Sequence, residues 1–246
     1  MSRSHPSGAT IQFGPGPLTP AIRAIIVTNV VIFVLTLFSP TFFLTSFGMR
    51  PADVVGGEIW RLATYMFVHH PGGFGHILFN MLAVWMFGVD LERRWGTQAF
   101  ATYYAVTGVG AGLSQLVLSL LPLEGTAGMY TVSVVGASGA VYGIILAWAL
   151  LFPHRQVLFM FVFPLPARVF AGLMGGIAFL SAASGQGGAV AHIAHLGGMI
   201  FGWIYLKGPR NLKLDMDYRL TRWRMERMRR KFDVHRGGRD RDKYLH

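Results

Sequence analysis

Residues 136–152 read Gly-Ala-Ser-Gly-Ala-Val-Tyr-Gly-Ile-Ile-Leu-Ala-Trp-Ala-Leu-Leu-Phe. No charge interrupts the run. As a helix rising about 1.5 Å per residue it reaches about 25 Å, most of the ~30 Å hydrocarbon core of a bilayer. Its one serine, Ser138, sits among small residues, and Gly139 and Gly143 form a G-x-x-x-G pair that lets a second helix backbone come close. The stretch therefore reads as a membrane span carrying a hydroxyl at a tight helix contact.

Five more segments of this kind flank it: 21–38, 76–92 and 98–121 before it, 167–183 and 188–206 after it. Pro20, Pro40, Pro122 and Pro153 fall at their edges, where helix ends tolerate proline. The apolar stretch Val157–Phe163 is too short to span and, with Pro164 and Pro166 behind it, predicts an interfacial strand or hairpin leading into the fifth span. Composition agrees. Of the 246 residues 52% are apolar and 13% charged, against ~25% charged in a typical soluble domain. Polar residues rich in Gly and Pro precede the first span without a signal-peptide cleavage pattern, so that span reads as retained. The absence of cysteine excludes disulfides and thiolate metal sites.

The formal net charge of +11 would suit nucleic acid, but its distribution does not. Fourteen of the 22 Lys and Arg residues lie in 207–246, beside six acids. A basic tail after an apolar body predicts a cytosolic, lipid-facing extension, not a nucleic-acid surface. With the N-terminus in the cytosol, twenty Lys and Arg fall inside and two, Arg50 and Arg61, fall outside. Both termini are expected in the cytosol. The chain divides into a cytosolic segment 1–20, a six-helix membrane domain 21–206 and a basic tail 207–246. On a helical wheel the tail's Met216, Leu220 and Trp223 group apart from Tyr218, Met225, Met228 and Phe232. Electrostatic contact with anionic lipid, or a disordered or partner-binding tail, fits that pattern better than deep insertion. The external stretch 39–75 mixes apolar pieces with Gly and polar residues. It is expected to lie half-sunk in the outer interface, with Trp60-Arg61 at headgroup level.

Polar side chains inside spans are costly, and so mark function. They are His76 and Asn80 in the second span, Ser138 in the fourth, and His192 and His195 in the sixth. Measured from the cytosolic ends, Asn80 lies about 20 Å deep, Ser138 about 22 Å and His195 about 18 Å, with His76 one turn above Asn80. Three spans thus bring polar groups to one depth. His195, Gly198 and Gly202 share a face, and glycines beside both Ser138 and His195 suit the 2.6–3.2 Å approach that proton transfer needs. A helix starting near Ser138 and ending at Pro153 falls short of the bilayer, so the chain before it must dip into a wet cavity. A helix N-terminus there offers free N–H groups to an oxyanion, and Asn80 and His76 add donors.

These residues resemble the rhomboid intramembrane serine proteases. Gly136-Ala-Ser138-Gly, with Tyr142 four residues on, is similar to that family's G-x-S-G motif, and His76-Ile-Leu-Phe-Asn80 to its H-x-x-x-N motif. Either His69 or His70 resembles its upstream histidine. Ala194-His195-Leu-Gly-Gly198 with Gly202 resembles its sixth-helix motif. Trp60-Arg61 and Gly88-x-x-x-Glu92-Arg93-x-x-Gly96 resemble further landmarks. The resemblance implies a Ser–His dyad without a carboxylate and a ring under the histidine at Tyr142. It also implies single-pass membrane proteins as substrates, no metal or other cofactor, and, with six spans, a bacterial inner-membrane-type location. His195 is preferred to His192 as the base because its i+3 and i+7 neighbours are glycine. Two other functions compete: a non-cleaving adaptor of the same fold, and a metal or haem carrier using His69, His70, His76, His192 and His195. The retained serine and histidine weigh against the first. The lack of H-E-x-x-H and of intramembrane acids weighs against the second.

Overall fold

The computed structural model describes residues 14–122, 126, 128–159, 162–184, 189–208, 220–221 and 223–228. Of the tail residues named above, Met216, Tyr218 and Phe232 lie outside these, as does Arg3. The chain divides into two compact units, Met1–Ile204 and Tyr205–His246.

Nine α-helices and one hairpin are named among the described residues. The long ones are α1 (Pro20–Phe38), α5 (Phe74–Trp95), α6 (Thr97–Ser119), α7 (Ser138–Leu151), α8 (Ala167–Ala183) and α9 (Ala189–Lys207). They match the six expected spans to within a few residues, because proline and glycine mark their ends. Pro20 occupies the first turn of α1, where its missing N–H costs nothing. Gly96, at φ +84°, makes the sharp corner between α5 and α6. Strands β1 (Gln156–Phe159) and β2 (Phe163–Pro166) pair antiparallel before α8, so the expected hairpin forms.

Polarity runs from outside in, the reverse of a soluble protein. Val27, Val30, Val31 and Val34 of α1, Ile177, Phe179 and Leu180 of α8, and Ile200, Trp203 and Ile204 of α9 are exposed. Asn29, Thr36, Asn80, Thr107 and Gln115 are buried. An apolar exterior around a polar interior has lipid as its solvent. By length and composition α1 and α5 are each sufficient to cross a membrane, while α7 and α8, at 14 and 17 residues, are shorter. The fold is a helical membrane bundle.

Two carboxylates of α5 tie the helices at one end. Glu92 accepts the backbone N–H groups of Ala21 (2.9 Å) and Ile22 (3.1 Å), and the hydroxyls of Thr97 (2.7 Å) and Thr19. It thereby caps the start of α1, where four N–H groups lack helical partners. Asp90 accepts from the Trp148 indole (3.1 Å) and pairs with Arg155 at the hairpin.

The stretch 39–75 folds into α2 (Pro40–Phe47), α3 (Pro51–Val55), α4 (Arg61–Thr64) and a 3-10 turn at Tyr65–Phe67. Trp60 is exposed, its indole donating to the Ser46 carbonyl at 3.1 Å. Arg61 departs from the expected headgroup position. It is buried, donating to the Gly48 carbonyl (2.7 Å) and pairing with Glu58 (2.6 Å) and Asp53 (3.2 Å). A guanidinium offers five fixed donors, enough to draw carbonyl and carboxylates round it as the loop's own core. Asp53 also takes a hydrogen bond from Arg50 (2.8 Å). That bond holds its carboxyl below the usual range against the opposing effect of burial, with Arg61 adding to it.

Candidate active site

Ser138 opens α7. The chain reaches it through an irregular stretch docked on the loop between α1 and α5. Met49 and Val134 exchange two backbone hydrogen bonds of 2.9 Å, and Gly136 N–H donates to the Tyr65 carbonyl at 2.9 Å. Gly136 has φ +114°, a conformation that favours glycine, and a Cβ there would lie 2.7 Å from the His76 ring. The N–H groups of the first helical turn have no acceptor within the helix.

Helix α7 packs tightly on both sides. A Cβ on Gly139 would meet Ala111 of α6 at 2.5 Å, and one on Gly143 would meet Thr107 at 2.6 Å. Tyr103 of α6 donates to the Gly143 carbonyl at 2.7 Å. Toward α9 the contact is closer still. A Cβ on Gly198 would lie 1.9 Å from the Gly139 carbonyl oxygen, so only glycine permits that approach. Gly202 faces elsewhere, toward the Tyr103 hydroxyl of α6 at 2.5 Å from its would-be Cβ.

This packing brings His195 Nε2 to 2.8 Å from Ser138 Oγ. The imidazole lies flat on the Tyr142 ring, 4.2 Å between centroids and 4° between planes. Its Nδ1 is buried and has no hydrogen-bond partner among the described residues. His192 sits beside it, ring centroids 5.5 Å apart and nearly perpendicular. The serine contact belongs to His195.

On the other side of Gly136 stand three residues. Asn80 is buried, its Nδ2 3.2 Å from His69 Nε2. The His69 and His76 rings meet edge to face at 5.2 Å. His69 is fully buried, and its Nε2 lies 3.5 Å from the Ala137 N–H. His70 is exposed and accepts from the Gly72 amide at 3.2 Å. Burial and contact with Asn80 thus separate two histidines that the sequence leaves equivalent. Among the described residues no three histidine or acidic side chains gather as a metal site requires.

Two residues near the site carry no sequence signal. Tyr65 anchors Gly136 through its carbonyl and α6 through its hydroxyl, which donates to the Gly108 carbonyl at 2.7 Å. Gln115, buried in α6, donates to the Val132 carbonyl at 3.2 Å, holding the irregular segment that leads to Ser138. Both join irregular backbone to a helix, a relation with no period to read.

The family model described as the Rhomboid domain matches residues 56–208. Among curated proteins the chain is similar to "Rhomboid protein 1, mitochondrial" of Saccharomyces cerevisiae, 30% identical over 167 residues, which are 66% of this chain and 45% of that protein. It is similar also to "Rhomboid protease GluP" of Bacillus subtilis, 29% identical over 161 residues, 65% of this chain and 28% of that protein. "RHOMBOID-like protein 1" of Arabidopsis thaliana is 31% identical over 159 residues, 62% of this chain and 36% of that protein. The chain spans less than half the length of these relatives. A domain match covering more than half of the chain, over the helices that assemble the site, places it in the rhomboid family.

Proposed function

We propose that this chain is an intramembrane serine endopeptidase that hydrolyses peptide bonds in or near the transmembrane helix of single-pass membrane proteins. The observation that carries the reading is the 2.8 Å contact between His195 Nε2 and Ser138 Oγ inside a membrane bundle. Nε2, with the ring proton on Nδ1, accepts the serine proton as Oγ bonds to the substrate carbonyl carbon. The protonated imidazole then gives that proton to the departing amine as the C–N bond breaks. Water repeats the sequence on the acyl-serine. Tyr142 fixes the ring plane and offers its π face to the transient positive charge.

The developing oxyanion is served by N–H groups of the first turn of α7, with Asn80 and His76 as further donors. An amide nitrogen carries two N–H groups; one of Asn80's meets His69, which leaves the other for substrate. Gly136 makes room for His76, and Gly198 lets the two helices close. Gly202 supports α9 against α6. No metal or other cofactor enters the scheme.

The division into 1–20, 21–206 and 207–246, both termini in the cytosol, and a bacterial inner-membrane-type location complete the proposal. The lopsided distribution of Lys and Arg supports them.

A serine-directed fluorophosphonate should label the protein and not Ser138→Ala; equal labelling would sink the dyad. Cleavage of a reporter with one transmembrane helix should vanish in His195→Ala and persist in His192→Ala. The reverse pattern would move the base. Intact reporter that stays bound to unaltered protein would favour the non-cleaving adaptor.

A further inference from the structure

Residues 220–221 and 223–228 of the second unit are helical and form no part of the site above. Leu220, Trp223, Met225 and Met228 are each about half exposed, with Trp223 at 56%. At 100° per residue, Leu220, Trp223, Arg224 and Arg227 fall within an arc of about 100°, and Glu226 falls outside it. The Arg227 guanidinium lies over the Trp223 ring, 5.3 Å from its centroid. Apolar side chains and cations thus share one surface. A helix made only for water would hold them on separate faces.

We propose that this segment lies flat on an anionic phospholipid surface, with Trp223 and Leu220 at headgroup depth and Arg224 and Arg227 on lipid phosphates. Indole and guanidinium side chains both suit that layer. The surrounding sequence has the matching charge, fourteen Lys and Arg against six acids in 207–246. Covalent reach favours a membrane over any free polyanion. Leu220 follows Lys207, the last residue of α9, by 13 positions, so the fully extended chain carries it at most about 45 Å away. The tether keeps the segment at a high effective concentration next to lipid, whereas a nucleic acid must be recruited from solution.

Because the protein contains no cysteine, Leu220→Cys gives a single labelling site within that arc. An environment-sensitive fluorophore there, in the full chain reconstituted into bilayers, reads contact with lipid. In phosphatidylcholine containing about one third phosphatidylglycerol at ~0.1 M salt, the emission should shift to the blue. Headgroup-level nitroxide lipid should quench it at least roughly threefold more than in pure phosphatidylcholine. Salt at ~1 M should remove most of the difference, since screening then acts within about 3 Å. Arg224→Glu with Arg227→Glu should do the same at low salt, with reporter cleavage unchanged. Equal quenching in both lipids, or a difference insensitive to salt, would overturn the proposal. A response to added polynucleotide without a response to phosphatidylglycerol would overturn it in favour of a nucleic-acid surface. The salt series uses unaltered tail charges, so the result does not depend on the double variant.

Discussion

The Tyr142 ring and the His195 imidazole lie parallel, 4.2 Å apart, on neighbouring helices. The stack fixes the tilt of the imidazole while leaving both nitrogens at its edge. A ring that loses its neighbour swings, and a small misplacement of a reacting atom lowers rate steeply. Tyr142→Phe should retain most activity, whereas Tyr142→Leu should lower kcat by about 10- to 100-fold with little change in KM. Reporter cleavage by both variants checks this. Equal loss in the two would point to the hydroxyl and away from the stack.

Gly198 touches the backbone of Gly139, which no side-chain rotation can relieve. Gly198→Ala should therefore separate α7 from α9 and draw His195 away from Ser138. A cost of about 1–3 kcal/mol in stability is expected from overpacking. Fluorophosphonate labelling should fall far more than that cost explains. At Gly143 the nearest atoms are Cγ2 and Cβ of Thr107, so Gly143→Ala should be costly too, and Thr107→Ala, which keeps that Cβ, should recover only a small part of the loss.

Arg61 is a buried cation with two carboxylates and a carbonyl around it. Removing it leaves carboxylates facing each other, a loss of about 3 kcal/mol or more in loop stability. Arg61→Lys cannot span the same partners and should recover only part. Proteolytic cutting within 48–64, timed in detergent, reports the effect.

Asp53 gives that loop a pH dependence. Its carboxyl is held below its ordinary range, first by the Arg50 hydrogen bond. Its contribution is therefore complete above the unfolded carboxylate range, near pH 4, and disappears as pH falls through the lower folded value. Loop protection should stay level from about pH 7 to 5 and decline below about pH 4. Asp53→Asn should lower the plateau and flatten part of the decline. An unchanged acid limb in that variant would remove Asp53 as its source.

Glu92 accepts from four donors on α1 and α6 or their caps. Glu92→Ala strands them and should cost about 3 kcal/mol, with Glu92→Gln recovering some through its one carbonyl oxygen. Thermal unfolding in detergent measures both.

What the sequence makes legible here is whatever repeats or punctuates. Span ends follow from Pro20, Pro122 and Pro153, and Pro164 with Pro166 mark the hairpin. The motif spacing places Ser138, His76, Asn80 and His195 on known faces of three helices. Arg61 is not legible, because a lone arginine beside tryptophan looks the same at a headgroup as in a loop core; its partners Gly48, Asp53 and Glu58 decide. Glu92 reads as an acid near a helix end, and its reach back to Ala21 is a tertiary fact. His69 and His70 differ only in which of two adjacent side chains a non-periodic loop turns inward. Gly202 shares a helical face with His195, yet the third dimension assigns it to α6.

The pairing of Met49 with Val134 joins residues 85 positions apart, and the approach to Ser138 rests on it. Closing so long a loop is slow and entropically costly until both sides are present. During synthesis the loop between α1 and α5 must therefore wait for two further helices before Val134 arrives, and His195 comes later still. In the proposed mechanism a nascent chain that has not yet delivered α9 holds Ser138 without His195, so the order of translation itself would keep the unfinished protein from acting on its neighbours.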